Sequence, residues 1–253
     1  RAMEIPPILM YHRIGHRPGD GNTVSPERFD LQLQYLEDHG FNALGLTEWH
    51  HLVQSGQTVP SKAVILTFDD GYRDNWELAA PLLARYGAKA TVFMVAEGIG
   101  RKNSWESVDS RRDAELMNGE DLRDWIRQGF EVGSHGMSHA RVTELSEEKL
   151  RYELVESKKT LEDIVGVEVP FFCYPHGNFD EMAKSAIQEA GYLGAVAIVE
   201  GTRWDQIDWY ALPRLRVSDR DEPGIFRWKV SVLHSWMGRA RQWEKNVKKS
   251  IRR

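Results

Sequence analysis

The sequence has very little cysteine, no long apolar run and no excess of basic charge. A single cysteine, Cys173, among 253 residues excludes an internal disulfide scaffold. No apolar run approaches the ~20 residues that are needed to span a bilayer. Acidic residues outnumber Lys and Arg by 38 to 33, a net charge of −5, so the surface as a whole is not that of a nucleic-acid-binding protein. The hydrophobic share of 41% and the charged share of 28% exclude collagen-like and disordered chains.

The two ends of the sequence carry features that concern the cellular location of the protein and its binding partners. It begins Arg1-Ala2-Met3, without the apolar segment of a secretory signal. We expect an extracytoplasmic or envelope-associated protein if a signal has been removed, and a cytoplasmic one if the chain is complete. Residues 239–253 contain seven Lys or Arg and one Glu, which predicts a basic helical end or solvated tail. The alternative is a contact with an anionic partner or membrane surface.

Short apolar runs alternate along the chain with amphipathic stretches. The pattern predicts strands or extended segments at 8–11, 63–68, 91–95, 130–133, 171–174, 193–199 and 212–217. It predicts helices after the Ser25-Pro26 cap, from Thr47 onward, and at 74–86, 122–128, 146–165, 179–190 and about 224–247. Seven or eight such units favour an α/β fold in which a parallel sheet closes into a (β/α) barrel, as one domain over residues 1–253. A doubly wound open sheet is the alternative.

Two adjacent carboxylates follow the most apolar of these strands, in Thr67-Phe68-Asp69-Asp70-Gly71-Tyr72. Neighbouring buried charges of one sign repel each other, and a metal ion or a nearby cation is the usual relief. The carboxyl ends of barrel strands are also where active sites lie. The alternative interpretation of the two carboxylates is structural: Asp70 would be the N-cap of the next helix, and Asp69 would lie in solvent.

Two histidines four residues apart follow another strand, in Ser134-His135-Gly136-Met137-Ser138-His139. On one side of a helical turn, such a pair can hold a single metal through its imidazole nitrogens. The pair alone is a weak signal. Beside the Asp69-Asp70 pair it completes an Asp/His/His set, and three protein ligands leave positions open for water, as in catalytic sites.

A third strand ends in Phe172-Cys173-Tyr174-Pro175-His176-Gly177. Its proline and glycine predict a tight turn that could aim a backbone N–H at a developing oxyanion. The alternative is an ordinary β–α turn. Cys173 is interpreted as a core residue rather than a nucleophile, because no basic residue adjoins it in the sequence.

Together these motifs resemble the NodB-like polysaccharide deacetylases, carbohydrate esterase family 4, over about residues 8–217. The Asp motif of that family is matched by residues 67–70, and its His-Ser/Thr-x-x-His motif by His135 and His139, with Gly136 replacing the hydroxyl residue. In its Arg-x-Pro-Tyr-Gly motif, Cys173 stands in place of the arginine and His176 in place of the tyrosine. The arginine orients the catalytic base in the family. Arg214, in Leu212-Pro213-Arg214, is the predicted substitute here.

The Leu-x-His motif that supplies the catalytic acid of the family is matched only loosely, by Val232-Leu233-His234, in a predicted helix. An early segment, Leu9-Met10-Tyr11-His12-Arg13, is similar instead to the circularly permuted poly-N-acetylglucosamine deacetylase branch. The resemblance to that branch implies His12 as the acid. Read alone, His12 would be interpreted as a half-buried histidine at a strand end.

The resemblance implies a distorted (β/α) barrel of about seven strands and a metal-dependent hydrolase that removes the N-acetyl group from N-acetylhexosamine units of a glycan. Asp70, His135 and His139 would bind a divalent ion, Zn²⁺ first and otherwise Co²⁺, Ni²⁺ or Fe²⁺. Asp69 would be the base and His12 the acid, with Arg214 orienting Asp69. The substrate-binding residues would be Tyr72, Tyr174, Pro175, His176 and Gly177.

Other functions remain open for this sequence. The scaffold could act on a nucleotide-linked, lipid-linked or other small amide or formamide, or it could deacetylate peptidoglycan or chitin. It could also be a glycan-binding module without activity, against which the complete Asp/Asp/His/His set argues. The expected partner is an N-acetylated glycan or oligosaccharide and not a nucleic acid. Several tryptophans could stack on its sugar rings, namely Trp76, Trp105, Trp204 and Trp209.

Overall fold

The computed structural model describes residues 5–106, 114–199, 201–204 and 206–231. The strands are β1 Ile8–Tyr11, β2 Arg13–Ile14, β3 Thr23–Val24, β4 Asn42–Leu44, β5 Ala63–Phe68, β6 Thr91–Met94, β7 Glu131–Ser134, β8 Phe171–Cys173, β9 Gly194–Val196 and β10 Leu215–Arg216. The α-helices are α1 Pro26–Asp38, α2 Leu46–Gln54, α3 Ala80–Arg85, α4 Gly119–Arg127, α5 Glu147–Val165, α6 Glu181–Glu189 and α7 Pro223–Val230. None of these helices is long and apolar enough to cross a membrane.

The main sheet is parallel throughout, in the order β10-β1-β5-β6-β7-β8-β9, and β4 pairs with the start of β5. Its two ends approach each other, because Val196 at the end of β9 bridges to Leu212, three residues before β10. Helices connect the consecutive strands of the main sheet from β4 to β9, as crossovers between parallel strands usually do, whereas the described residues between β9 and β10 contain no helix. The prediction of an α/β fold with a distorted barrel of about seven strands is confirmed.

Hydrophobic side chains fill the inside of the barrel and the layer beneath the helices. All six residues of β5 are buried, as expected of a strand that is covered on both faces. The cluster inside the barrel takes side chains from six strands, from α2 and from the segment before β10: Ile8, Leu44, Trp49, Ile65, Phe93, Phe171, Cys173, Val196 and Leu212 belong to it. This cluster fills the amino-end half of the barrel, and polar side chains follow it towards the carboxyl end.

Most predicted elements exist within a few residues of the predicted bounds, and several details were wrong. The predicted helix 74–86 begins as a π-helical turn, Asn75–Ala79, before α3. The short strands β2, β3 and β4 were not predicted, because they have too few residues to show a period. The predicted helix 224–247 can be compared with the structure only up to residue 231, and in that part α7 covers Pro223–Val230. Residues 232–253, which include His234 and the basic tail, lie outside the described residues.

The predicted cap of α2 was also wrong. Its N-cap residue is Gly45, which makes no side-chain cap, and Thr47 lies inside the helix. The Thr47 backbone N–H donates instead to both carboxylate oxygens of Glu131, at 3.2 Å each. A residue 84 positions away in the sequence thus does what a local cap usually does. No local pattern could reveal this.

Candidate active site

The alternation of side chains along the strands brings the candidate residues to the carboxyl-end mouth of the barrel. Ile65 of β5 faces the interior, and residues two apart on a strand share a face. Thr67 and then Asp69 therefore continue the interior face of β5 upward, into the mouth. The same spacing leads from interior positions of other strands to further residues of one cleft, His12, His135 and Ile198.

Asp69 forms a buried, bidentate ion pair with Arg214. Arg214 Nη1 lies 2.7 Å from Asp69 Oδ1, and Nη2 lies 2.8 Å from Oδ2. The guanidinium is fixed further by its Nε, which donates to the Ala197 carbonyl at 2.8 Å, and by Nη1, which donates to Thr67 Oγ1 at 3.0 Å. The side chain of Arg214 is 1% exposed. Arg214, the substitute predicted for the arginine that is missing at position 173, thus contacts Asp69 directly, and its role as the residue that orients a base stays a prediction.

The ion pair sets the charge of Asp69. Burial alone would raise the pKa of this carboxyl, but the charge and hydrogen bonds of Arg214 lower it below its ordinary value. Cys173 contributes to the same cluster, since Arg214 Nη2 lies 3.1 Å from its Sγ and the thiol lies 3.6 Å from Asp69 Oδ2. Burial raises the pKa of the thiol. Cys173 is therefore a neutral neighbour of the Asp69 carboxylate, in addition to its place in the core.

Asp70 lies against two imidazoles. Its Oδ1 is 3.3 Å from Nε2 of His135 and 3.3 Å from Nε2 of His139, and all three side chains are at least 92% buried. His135 Nδ1 is 2.8 Å from the Cys173 carbonyl oxygen and donates to it, so that Nε2 is the nitrogen that faces Asp70. Asp70 Oδ1 is buried without a hydrogen-bond partner.

These three residues fit a divalent metal ion. One carboxylate oxygen and two imidazole nitrogens lie within 4.8 Å of one another. A buried, unpartnered carboxylate oxygen is costly in a protein, and an ion between the three atoms would satisfy it. The mixed N/O donor set suits Zn²⁺, and three protein ligands leave coordination positions open.

The loop between the two histidines departs from the predicted helical turn. His135 follows β7 directly, and the chain then turns through Gly136, with φ +80°, to His139, with φ +64°. Asp70 and His176 also have positive φ, of 76° and 62°, and these three are the non-glycine residues with positive φ among the described residues. Left-handed backbone costs an L-residue about 1–2 kcal/mol. Such strain concentrates at functional sites, and here it falls entirely on one.

His12 lies at the same mouth, beyond the end of β1. Its Nε2 is 4.0 Å from Asp69 Oδ2, and its side chain is 16% exposed. Asn75 Nδ2 donates to the His12 carbonyl oxygen at 2.8 Å, which ties the start of the π-helical turn to this backbone. Burial lowers the pKa of His12, although the carboxylates of Asp69 and Asp70 oppose the shift. The imidazole is therefore neutral near pH 7 in the ligand-free site.

The predicted substrate-binding residues divide between the cleft and the core. Tyr174, His176 and Gly177 line a cleft of about 500 Å³ together with the metal set. Tyr72 does not line it, because its ring lies beneath the Arg13 guanidinium and its hydroxyl accepts from Asn103. Pro175 is buried and does not line it either. Burial, with the nearby imidazole of His139, lowers the pKa of His176 to about 4.

Among the four tryptophans suggested by the sequence, only Trp105 lines the cleft. Its ring stacks on the His139 imidazole, with centroids 5.0 Å apart and planes 24° apart. Trp209 packs instead against Trp49, 4.7 Å away, within the core. Trp105 lies in a polar segment without periodicity, so the sequence held no signal that distinguishes it from the others.

Glu153 was missed by the sequence analysis, although a signal existed. It lies on the buried face of α5, among Leu150, Leu154, Ser157 and Leu161. A carboxylate within an apolar stripe needs a partner. Its Oε2 accepts from the Met137 N–H at 2.7 Å, in the loop between the two histidines.

The chain matches known proteins over most of its length. Residues 56–195 match the polysaccharide deacetylase family. The YxkH protein of Bacillus subtilis, which is named for the same family, is 30% identical over 212 residues, 84% of this chain and 71% of its own. A Staphylococcus aureus protein named poly-β-1,6-N-acetyl-D-glucosamine N-deacetylase is 24% identical over 206 residues, 78% of this chain and 68% of its own.

Two solved structures share the fold. The Streptococcus pyogenes deacetylase PplD, in complex with acetate, aligns with a TM-score of 0.78 and 23% identity over 90% of this chain and all of its own. IcaB from Ammonifex degensii aligns with a TM-score of 0.75 and 22% identity, over 91% of this chain and 99% of its own. From the matched residues and the YxkH relative, this chain belongs to the polysaccharide deacetylase family, with a NodB-like domain.

Proposed function

We propose that the protein hydrolyses the N-acetyl group of N-acetylhexosamine units in a glycan, in a metal-dependent reaction that releases acetate and a free amine. The observation that carries the proposal is the adjacency of two differently equipped carboxylates. Asp69 is held by a guanidinium, and Asp70 by two imidazoles, at the floor of one cleft. The first arrangement suits a base, and the second suits a metal ligand.

Asp70, His135 and His139 would hold the ion. When bound, a divalent cation supplies Lewis acidity, which polarises the acetyl carbonyl and makes water more acidic. The chain itself supplies the base. Asp69, ionised and fixed in orientation by Arg214, would accept the proton of the attacking water on a carboxylate oxygen.

Departure of the amine requires a proton, since an amide anion is too basic to leave. His12 is placed to deliver it, because it lies in the same cleft as Asp69. An imidazole that is neutral in the resting site must first gain a proton within the reaction cycle. Asp69, whose Oδ2 is 4.0 Å away, is the neighbouring group that has just accepted one. The water proton would thus reach the leaving nitrogen through Asp69 and His12.

The substrate class is supported by the cleft and by the relatives. A volume of about 500 Å³ is within the usual range of small-ligand sites. The Trp105 ring on its wall offers a flat apolar surface for a sugar ring. The Staphylococcus aureus relative is named for a β-1,6-linked N-acetylglucosamine polymer, which makes that polymer our first choice. The position of His12 before the Asp motif supports the permuted branch.

The test is acetate release from a panel of acetylated glycans. Metal-free protein, protein reloaded with Zn²⁺ and the His135→Ala variant are compared on β-1,6-linked N-acetylglucosamine oligomers, chitin oligomers and peptidoglycan glycan strands. We expect release only with metal and only with His135 present. His51→Ala, a histidine exposed on α2, is the matched control and should behave as the wild type.

A metal-loaded wild type that releases no acetate from any of these glycans would reject the proposal. Small acetamides and formamides are assayed beside the glycans. Release of acetate or formate from these small amides, with none from the glycans, would favour the small-substrate alternative. Unchanged activity of His135→Ala would reject the metal assignment.

A further inference from the structure

We propose that Glu153 is a positioning residue for the metal site, which sets the spacing of His135 and His139 through the backbone of the loop between them. The inference rests on the proposed metal site. Glu153 contacts none of the three ligand side chains in the hydrogen bonds of the structure, so its effect passes through the main chain.

The carboxylate of Glu153 takes three donors from this loop. Its Oε2 accepts from the backbone N–H of Met137 at 2.7 Å and of Ser138 at 3.1 Å. Its Oε1 accepts from the Ser138 hydroxyl. Successive backbone N–H groups that converge on one anion form a strong, charge-assisted contact. Glu153 is 6% exposed, so water competes little for this contact.

The other side of the loop is also held. The carbonyl oxygens of Gly136 and Met137 accept from the backbone N–H groups of Ala96 and Glu97, at 3.0 and 2.9 Å. The loop is thus bound through its carbonyls to the segment after β6 and through its N–H groups to α5. Removal of Glu153 would free one side of it.

The loop needs this support because its conformation is strained. His139 is a metal ligand with φ +64°, which a free chain would relax at a gain of about 1–2 kcal/mol. A carboxylate that holds the two preceding N–H groups keeps the chain from relaxing, and so keeps the His139 imidazole directed at Asp70.

The same contact explains a departure from the family motif. Gly136 stands where a hydroxyl residue is usual, and a Cβ at this position would lie 2.8 Å from Glu153 Oε2. Gly136 also has φ +80°, which glycine adopts without strain. Gly136 and Glu153 therefore form a matched pair, in which the absence of a side chain lets the carboxylate approach the loop.

The experiment measures Zn²⁺ affinity of the metal-free full chain by competition with a chromophoric chelator. Glu153→Gln keeps the size of the side chain but loses the charge and one acceptor oxygen. We expect its Zn²⁺ affinity to fall by about 10–100-fold, the usual effect of removing a partner behind a metal ligand. Glu156→Gln, an exposed residue of the same helix, is the control and should bind as the wild type does.

Two further measurements separate positioning from simple stability. With Co²⁺ at saturation, the visible absorption spectrum of Glu153→Gln should differ from that of the wild type, because the ligands are less well fixed. Ser138→Ala removes one donor of the three and should weaken Zn²⁺ binding by about 2–10-fold. If Glu153→Gln does not fold, the Zn²⁺ affinity of Ser138→Ala alone tests whether the contact with Glu153 positions the metal ligands.

The outcomes are distinct. If the wild type binds Zn²⁺ and both variants bind it as tightly, with an unchanged Co²⁺ spectrum, Glu153 is only a structural contact and the inference is wrong. If the wild type binds no Zn²⁺ and His135→Ala behaves identically, the metal site itself is wrong, and the proposed function fails with it.

Discussion

The two mouths of the barrel use buried carboxylates in opposite ways. At the amino end, the carboxylate of Glu131 accepts hydrogen bonds from the Thr47 N–H at 3.2 Å and from the Thr91 hydroxyl at 3.0 Å. At the carboxyl end, Asp70 has an oxygen without a hydrogen-bond partner, between two imidazole nitrogens. Asp70 is fully buried, at 3% exposed, and Glu131 is partly buried. The difference lies in the neighbours, since hydrogen-bond donors surround the carboxylate of Glu131, whereas Asp70 lies beside two imidazole nitrogens that could bind a cation together with it.

Backbone strain separates the two mouths in the same way. Asp70, His139 and His176, the described non-glycine residues with positive φ, all lie at the carboxyl end. The amino end has none among the residues described. Orphaned acceptors and strained backbone thus identify the same mouth independently, and the following changes test that division.

The largest effect is expected for Asp69→Asn. An amide cannot accept the proton of the attacking water, so turnover should fall by up to about 10⁴-fold. Zn²⁺ affinity should remain near that of the wild type, because Asp69 is not among the ligands. Acetate release and chelator competition measure the two quantities. A loss of metal as complete as that in Asp70→Asn would show that the two carboxylates share one role.

Arg214→Met should destabilise the fold itself. It leaves Asp69 buried without its cation, and breaking a buried pair in this way costs about 3–5 kcal/mol. The free energy of unfolding in urea measures it. Arg216→Met, two residues on and exposed, should cost under about 1 kcal/mol. Equal costs for the two variants would mean that the Asp69–Arg214 pair has no special role in stability.

His12→Ala should lower kcat by about 100-fold or more, the low end of what proton donation contributes. Zn²⁺ affinity and the melting temperature should change little, because His12 is neither a ligand nor a core residue. His50→Ala, a histidine beside Trp209 at the amino-end half, is the control for removing a packed imidazole. A near-normal kcat for His12→Ala would reject His12 as the acid and, with it, the permuted-branch assignment.

Glu131→Gln should have the smallest effect, on stability alone. The weaker amide acceptor should cost about 1–3 kcal/mol at neutral pH, with kcat unchanged. Burial raises the pKa of Glu131, so the wild type gains stability as the pH falls through that folded-state pKa. The gain is complete below the unfolded pKa of about 4.3. Glutamine does not titrate, and the difference between the two proteins should widen on acidification.

Urea unfolding of both proteins between neutral pH and about pH 4 checks this sign. A difference that narrows on acidification would mean that the folded chain stabilises the Glu131 anion. A fall in kcat would mean that the amino end contributes to the reaction after all.

Sequence alone predicted what local pattern and strand topology determine. Asp69 and Asp70 directly follow the apolar run of β5. This position was sufficient to predict that both carboxylates lie at the carboxyl-end mouth of the barrel. Arg214 could be suggested only because an expected arginine was missing at position 173. Its contact with Asp69 joins residues 145 positions apart, and no local pattern encodes such a pairing.

The errors have physical reasons as well. Thr47 was predicted as a cap because its hydroxyl could fill that role, but the Glu131 carboxylate is the stronger acceptor. His135 and His139 were expected on a helical turn, whereas Gly136 allows a left-handed turn that brings them together as a loop. Tyr72 follows the catalytic motif in sequence, yet the turn at Gly71 directs it beneath Arg13 and away from the cleft.

The late position of Arg214 in the chain has a consequence for the order in which the site forms during synthesis. Asp70, His135 and His139 are all synthesised well before Arg214, which immediately precedes β10, the strand that pairs with β1. Chains emerge from the ribosome amino end first, and contacts between distant residues form late. A partly made chain would therefore contain all three proposed metal ligands before the Arg214 guanidinium is available to fix Asp69. The order of synthesis would thus complete the proposed metal set first, and the Asp69–Arg214 pair only once the segment that leads into β10 has joined the sheet.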